Sequence, residues 1–186
     1  NLISVGISDP YIIAGNHSST KKTPAYFDYT GNKIENLNET GLSIAGHGIR
    51  LMATDDKGNI LGTSLALSGD KPVLYRWSNV TAEAKEFISY DKSVLGESAT
   101  PRLAGIGISG DLDGNATIVV TKAQSVDVYV WKVTNGVVNP TPQKYAFPVA
   151  TPSFYWSVVP MPIGTPGYMG FFSTSATNGL IWMNST

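Results

Sequence analysis

The residues best equipped for chemistry lie in the stretch "GDLDGNATI" at 110–118. Asp111, Asp113 and Asn115 place oxygen donors at alternate positions, as the opening positions of a calcium loop do. Gly114 comes one position early for such a loop, and no acidic residue closes it downstream. The related stretch "TDDKGNI" at 54–60 puts Lys57 where Asp113 stands. Asp-Gly and Gly-Asn pairs also favour tight hairpin turns. The expectation is therefore a turn with no cofactor, and Asp111, Asp113 and Asn115 are the weak calcium candidates. His17 and His47 are the only histidines, and neither has a second histidine or a carboxylate at relay spacing. Asp28, Asp91 and Asp127 are scattered, so no pair stands out for glycoside hydrolysis. Nucleophile elbow, P-loop and dinucleotide fingerprint are all absent from the sequence. The expectation is no enzyme. Phe154, Tyr155, Trp156, Tyr168, Phe171, Phe172 and Trp182 gather near the end of the chain. Tyr155 and Trp156, which point to opposite faces of a strand, are the speculative ligand-binding residues, as platforms for stacking a sugar ring.

Composition narrows the classes further. The 186 residues suffice for one domain with a substantial core. Charged residues make up 15%, well under the roughly 25% of an average soluble domain. The net charge of −1 gives no drive toward nucleic acid or anionic membranes. No apolar run approaches the roughly 18 residues that cross a bilayer. With no cysteine, disulfides, iron–sulfur clusters and thiolate metal sites are excluded. Asn-x-Ser/Thr sequences at Asn16, Asn38, Asn79, Asn115 and Asn184 fit a secreted composition. The chain begins at Asn1 without an initiator Met or a signal peptide, so a mature form, a trimmed form or a fragment is expected.

The elements that must position these residues repeat. "AYFDYTGN", "VLYRWSN", "DVYVWKVTNG" and "NGLIWMNST" align Tyr29, Trp77, Trp131 and Trp182, at spacings of 48, 54 and 51 residues. Phe27, Tyr75, Tyr129 and Leu180 stand two positions earlier, on the same face of each strand. Gly6, Gly48 and Gly107, each followed by Ile, form a second anchor, with Ser157-Val158 in the fourth copy. Between the anchors lie "YIIAGNHS", "NILGTSLA", "ATIVVTKA" and "YMGFFSTS" as further strands. After the aromatic strand come "NKIENL", "AKEFISY" and "QKYAFPV". Sustained helical spacing is missing, apart from a short turn near "TAEAKEF". Repeats near 50 residues with four short strands are the pattern of propeller blades. A β-sandwich also has many short strands but does not explain the repeat. The expected fold is all-β: a β-propeller or propeller fragment with about four blades of three to four antiparallel strands. One repeat domain spans 1–186, in units near 1–40, 41–100, 101–150 and 151–186. Since the fourth unit stops after its third strand, a part of a propeller of about six to eight blades is expected, with missing blades or a second copy covering exposed edges.

Residues 110–115 resemble the calcium loops of integrin-type propeller repeats. Ser109 and Asp111 also match the Asp-box of sialidase propellers, although the glycine comes one residue late and the tryptophan is absent. An Asp-box is itself structural. The longer pattern "GISGDLDGNATIVV…VYVWKVTNG" resembles an uncharacterised propeller-like repeat family of secreted or lipid-anchored Bacteroidetes proteins. The resemblance is best over 103–138 and weaker over 43–80. It implies an extracytoplasmic, secreted or surface-anchored location and an association with glycan scavenging, and it carries no functional residue across. The resulting expectation is a binding or scaffold module, with a neutral glycan or a protein as partner and with no nucleic acid and no membrane span. The alternatives are part of a glycan-active propeller enzyme and a structural spacer in a protein assembly.

Overall fold

The computed structural model describes residues 2–16, 23–43, 48–64, 73–91, 93, 103–147, 155–162, 169–175 and 179–184. Among the described residues the extended elements are strands, and they form separate antiparallel sheets. The chain divides into two compact units, residues 1–100 and 101–186.

The first unit holds two four-stranded meanders. Sheet one runs β1 (Leu2–Ser8), β2 (Tyr11–Asn16), β3 (Ala25–Phe27) and β4 (Lys33–Asn36). Sheet two runs β5 (Ile49–Thr54), β6 (Ile60–Ser64), β7 (Val73–Trp77) and β8 (Lys85–Ser89). Alternation of apolar and polar residues fixes which side of each strand is covered. Sheet one turns the row Gly6, Ile13 and Tyr26 toward sheet two. Sheet two answers with Met52, Ile60, Tyr75 and Trp77 in one apolar cluster. Trp77 is fully buried, and its Nε1 donates to the Asn38 carbonyl at 3.0 Å. Near the first strands the contact is closer and more polar. Ser4 Oγ donates to the Arg50 carbonyl and Ser8 Oγ to the Gly58 carbonyl, each at 2.7 Å. A side chain at Gly15 would run into the Arg50 carbonyl, which explains a glycine within β2.

The second unit holds sheet three and sheet four. Sheet three has β9 (Leu103–Gly110), β10 (Ala116–Lys122) and β11 (Asp127–Thr134). Its outer edge is shared by β12 (Val137–Val138) and β13 (Gln143–Ala146), both paired with β11. Asn135 and Gly136, with φ of 50° and 76°, make the hairpin turn after β11 that the Asn-Gly pair demands. Sheet four is β14 (Tyr155–Pro162), β15 (Met169–Ser175) and β16 (Gly179–Asn184). Val119, Val128, Val130, Phe147 and Val158 form one apolar cluster of this unit.

The register refines the repeat. In each sheet a second-strand apolar residue stands opposite a third-strand aromatic: Ile12 with Phe27, Ile60 with Trp77, Ile118 with Trp131, and Phe172 with Trp182. The first aromatic anchor is therefore Phe27 and not Tyr29. Tyr29 lies beyond β3, is 57% exposed, and donates its hydroxyl to the Asp9 carboxylate at 2.7 Å. The glycine anchor also needs correction. Gly6 and Gly107 lie inside β1 and β9, whereas Gly48 precedes β5. The short turn expected near "TAEAKEF" closes at Ala82, whose backbone N–H bonds the Asn79 carbonyl, and β8 follows it.

Candidate functional site

The carboxylates of the candidate loop belong to a turn that occurs three times. "DYTGN" at 28–32, "DDKGN" at 55–59 and "DLDGN" at 111–115 share the spacing Asp-x-x-Gly-Asn. In each, the aspartate N–H donates to the asparagine carbonyl and the glycine N–H donates to the aspartate carbonyl. The aspartate side chain then closes the loop from inside. Asp28 Oδ1 accepts from Thr30 N at 2.9 Å, Thr30 Oγ1 at 2.7 Å and Asn32 N at 2.9 Å. Asp55 Oδ1 accepts from Lys57 N at 2.9 Å and Asn59 N at 2.8 Å. Asp111 Oδ1 accepts from Asp113 N at 2.8 Å. Gly31 and Gly58 have φ of 90° and 83°, a conformation that strains any residue with a Cβ.

These bonds have an electrostatic consequence. The Thr30 hydroxyl first, and then the Asn32 amide groups, hold the Asp28 carboxyl down at a pKa of about 2. Donors aimed at the ionised form favour it. A carboxylate so engaged suits a fixed turn better than a proton carrier.

The second turn extends into a buried polar relay that the sequence reading missed. Asn59 Nδ2 donates to Asp55 Oδ2 at 2.7 Å, and Arg76 Nη2 donates to Asn59 Oδ1 at 2.7 Å. The Arg76 guanidinium also lies 5.7 Å from the centre of the Phe87 ring. Asp55 and Asn59 are buried, so the relay spends its charge on tying the β5–β6 turn to β7. The third turn differs. Asn115 Oδ1 accepts from Asn135 N at 3.1 Å, and Gly136 N donates to the Gly114 carbonyl at 2.8 Å. The candidate calcium loop is thereby tied to the β11–β12 hairpin.

Elsewhere the charges are local. Lys144 Nζ sits 3.1 Å from Asp127 Oδ2 and 5.8 Å from the Tyr129 ring centre. Burial lowers the Lys132 pKa, and its Nζ donates to Thr117 Oγ1 at 3.0 Å. Burial likewise raises the Tyr75 hydroxyl, which donates to the Ser43 carbonyl at 2.8 Å. Among the described residues no three His, Cys, Asp or Glu side chains gather as metal ligands. The proposed platform residues Tyr155 and Trp156 fall in β14, and their side chains lie outside the described residues. His17 and His47 also lie outside them. Within the described residues no helix is long and apolar enough to cross a membrane.

Residues 7–147 match the family profile of a domain of unknown function, DUF8500. The chain belongs to this family. The DUF8500 sequence has no significant match among curated proteins. Its fold is similar to solved structures of low identity. A DUF4623 family protein from Bacteroides eggerthii superposes with a TM-score of 0.64 at 12% identity, covering 97% of this chain and 44% of that one. The major allergen Mala s 1 of Malassezia sympodialis gives 0.59 at 14% identity, covering 96% of this chain and 51% of that one. The extracellular domain of BT4673 from B. thetaiotaomicron gives 0.50 at 7% identity, covering 98% of this chain and 27% of that one. The DUF8500 chain thus spans about half or less of each of these three structures. At these identities the likeness is one of fold alone.

Proposed function

We propose that the chain is part of a β-propeller that serves as an extracytoplasmic binding or scaffold module. The carrying observation is the recurrence, in four successive antiparallel sheets, of an apolar residue opposite an aromatic on the third strand. A radial array of such meanders is how propellers bury their faces. An extracytoplasmic location is in keeping with the similarity to the extracellular domain of BT4673. Binding rather than catalysis is in keeping with the carboxylates of Asp28, Asp55 and Asp111, whose oxygens serve turn N–H groups. On the same grounds the turns hold their shape without calcium.

The ligand class is a neutral glycan. A chain with 15% charged residues offers little steering for phosphate or sulfate groups. Tyr155 and Trp156 are the residues assigned to stack on it. A neutral-glycan array on the intact protein, followed by calorimetry with Tyr155→Ala and Trp156→Ala, tests this. Binding that is lost in one variant while the fold is kept supports the platform. Wild-type binding by both variants removes it, and the absence of any glycan binding favours a protein partner.

A further inference from the structure

Sheet one has two faces, and only one of them meets sheet two. The covered face carries Gly6, Ile13 and Tyr26. The opposite face carries Val5 and Ile7 on β1, Ile12 on β2 and Phe27 on β3, since residues paired across an antiparallel sheet share a side. Val5 is 61% exposed and Ile7 57%, and Ile12 and Phe27 are half-buried. Scattered exposed apolar residues are ordinary, but a row of four on one sheet face is not.

The register says what such a row does. The row Ile7–Ile12–Phe27 has its counterpart in Thr54–Ile60–Trp77 of sheet two. There Ile60 and Trp77 are fully buried against sheet one. What covers them is specific. The covering strand β1 presents small residues at alternate positions, and Ser4 and Ser8 reach across to carbonyls of sheet two. Thr54 in turn accepts from the Ile7 N–H through its Oγ1 at 3.1 Å. Small residues let the two backbones approach closely enough for these bonds, while Ile13 and Tyr26 fill the wider gap beyond.

We infer that the Val5–Ile7–Ile12–Phe27 face is an interface for a further antiparallel sheet of this same repeat. That sheet's first strand presents serine or glycine at alternate positions, with Ile- and Tyr-like residues on its next strands. The occupant is a sheet of the same polypeptide. The chain accounts for only 44% and 51% of the two structures it matches best among those described above, so chains of this fold carry more of it than these residues supply. The inference rests on the propeller reading but names the face, the residues and the chemistry of the covering strand.

Hydroxyl-radical footprinting of the intact protein, purified from its source cells, tests it. Val137 is 70% exposed on β12 and serves as a reference for the same residue type as Val5. With the face covered, Val5 is labelled about tenfold less than Val137, Ile7 falls in parallel, and the protection persists at dilutions where the protein is monomeric. Labelling of Val5 equal to that of Val137 overturns the inference. Protection that vanishes on dilution identifies a second copy as the occupant and overturns it as well. Electron micrographs of the same sample separate the two readings. A labelled face in a ring-shaped particle removes this interface and leaves the propeller. A protected face in a particle without a ring removes the propeller and leaves the interface.

Discussion

Among the described residues, the contacts between sheets differ in chemistry from one unit to the other. Between sheets one and two the first strands meet through hydroxyls and glycines, with Ser4, Gly6, Ser8 and Gly15 against the Arg50 and Gly58 carbonyls and Thr54. The aromatic and aliphatic residues of this unit stand behind that seam. In the second unit the described cluster holds Val119, Val128, Val130 and Val158 with Phe147, and Tyr145 packs beside it. A polar seam demands one register, because each hydroxyl must find its carbonyl. A valine seam demands only volume and is tolerant of small slides. One meander architecture can thus obtain specificity from directional bonds or cohesion from packed methyl groups.

Truncation tests this contrast most strongly where the two kinds of contact coincide. Trp77→Ala removes a fully buried ring together with its bond to the Asn38 carbonyl. It is expected to lower stability by about 3–5 kcal/mol in chemical denaturation. A loss under about 1 kcal/mol would mean that the ring is not the wedge behind the polar seam.

Exchanging the chemistry of the seams is the next largest effect. Val119→Thr puts a hydroxyl where the cluster is aliphatic, at an expected cost of about 1–3 kcal/mol. Ser8→Ala leaves the Gly58 carbonyl without its donor and should cost about 1 kcal/mol. If Val119→Thr proved neutral and Ser8→Ala costly, the second seam would have to contain polar partners and the contrast would fail.

The smallest effect is one of protonation. Asp28 has a folded pKa of about 2, below its usual value of 3.8. Its contribution is therefore fully present above pH 4 or so and is lost as the pH falls through about 2. Carbon-detected NMR should give an Asp28 carboxyl midpoint near that value, and Thr30→Ala should move the midpoint upward. A wild-type midpoint at the ordinary aspartate value would show that the Thr30 and Asn32 donors do not hold the carboxylate in solution.

Much of the fold could be read from alternation alone. The four-strand rhythm and the Asn-Gly turn at 135–136 follow from side-chain period and turn chemistry. Alignment of the repeat did not follow as well, because Tyr29 is aromatic like Trp77 but lies beyond β3, and only the pairing of Ile12 with Phe27 marks the equivalent position. Gly48 resembled Gly6 and Gly107 only in being followed by isoleucine. The Asp-x-x-Gly-Asn turn was visible in three places, but the alternate oxygen donors give Asp113 the look of a metal ligand, whereas the shape rests on the shared Asp, Gly and Asn. The relay from Asp55 through Asn59 to Arg76 joins residues 17 positions apart at its second step, a pairing that only the sheet creates.

That turn has a consequence for how such a chain can vary. Three residues specify its shape, and the two between the aspartate and the glycine are free to differ: Tyr29 and Thr30, Asp56 and Lys57, Leu112 and Asp113. An aromatic, a charge pair and an aliphatic–acid pair have all been accommodated on one backbone template. Inheritance can therefore rewrite the exposed letters among them without disturbing the strands on either side. Of the six residues, all but Leu112 are exposed, so each rewriting changes what the surface displays while the scaffold stays constant.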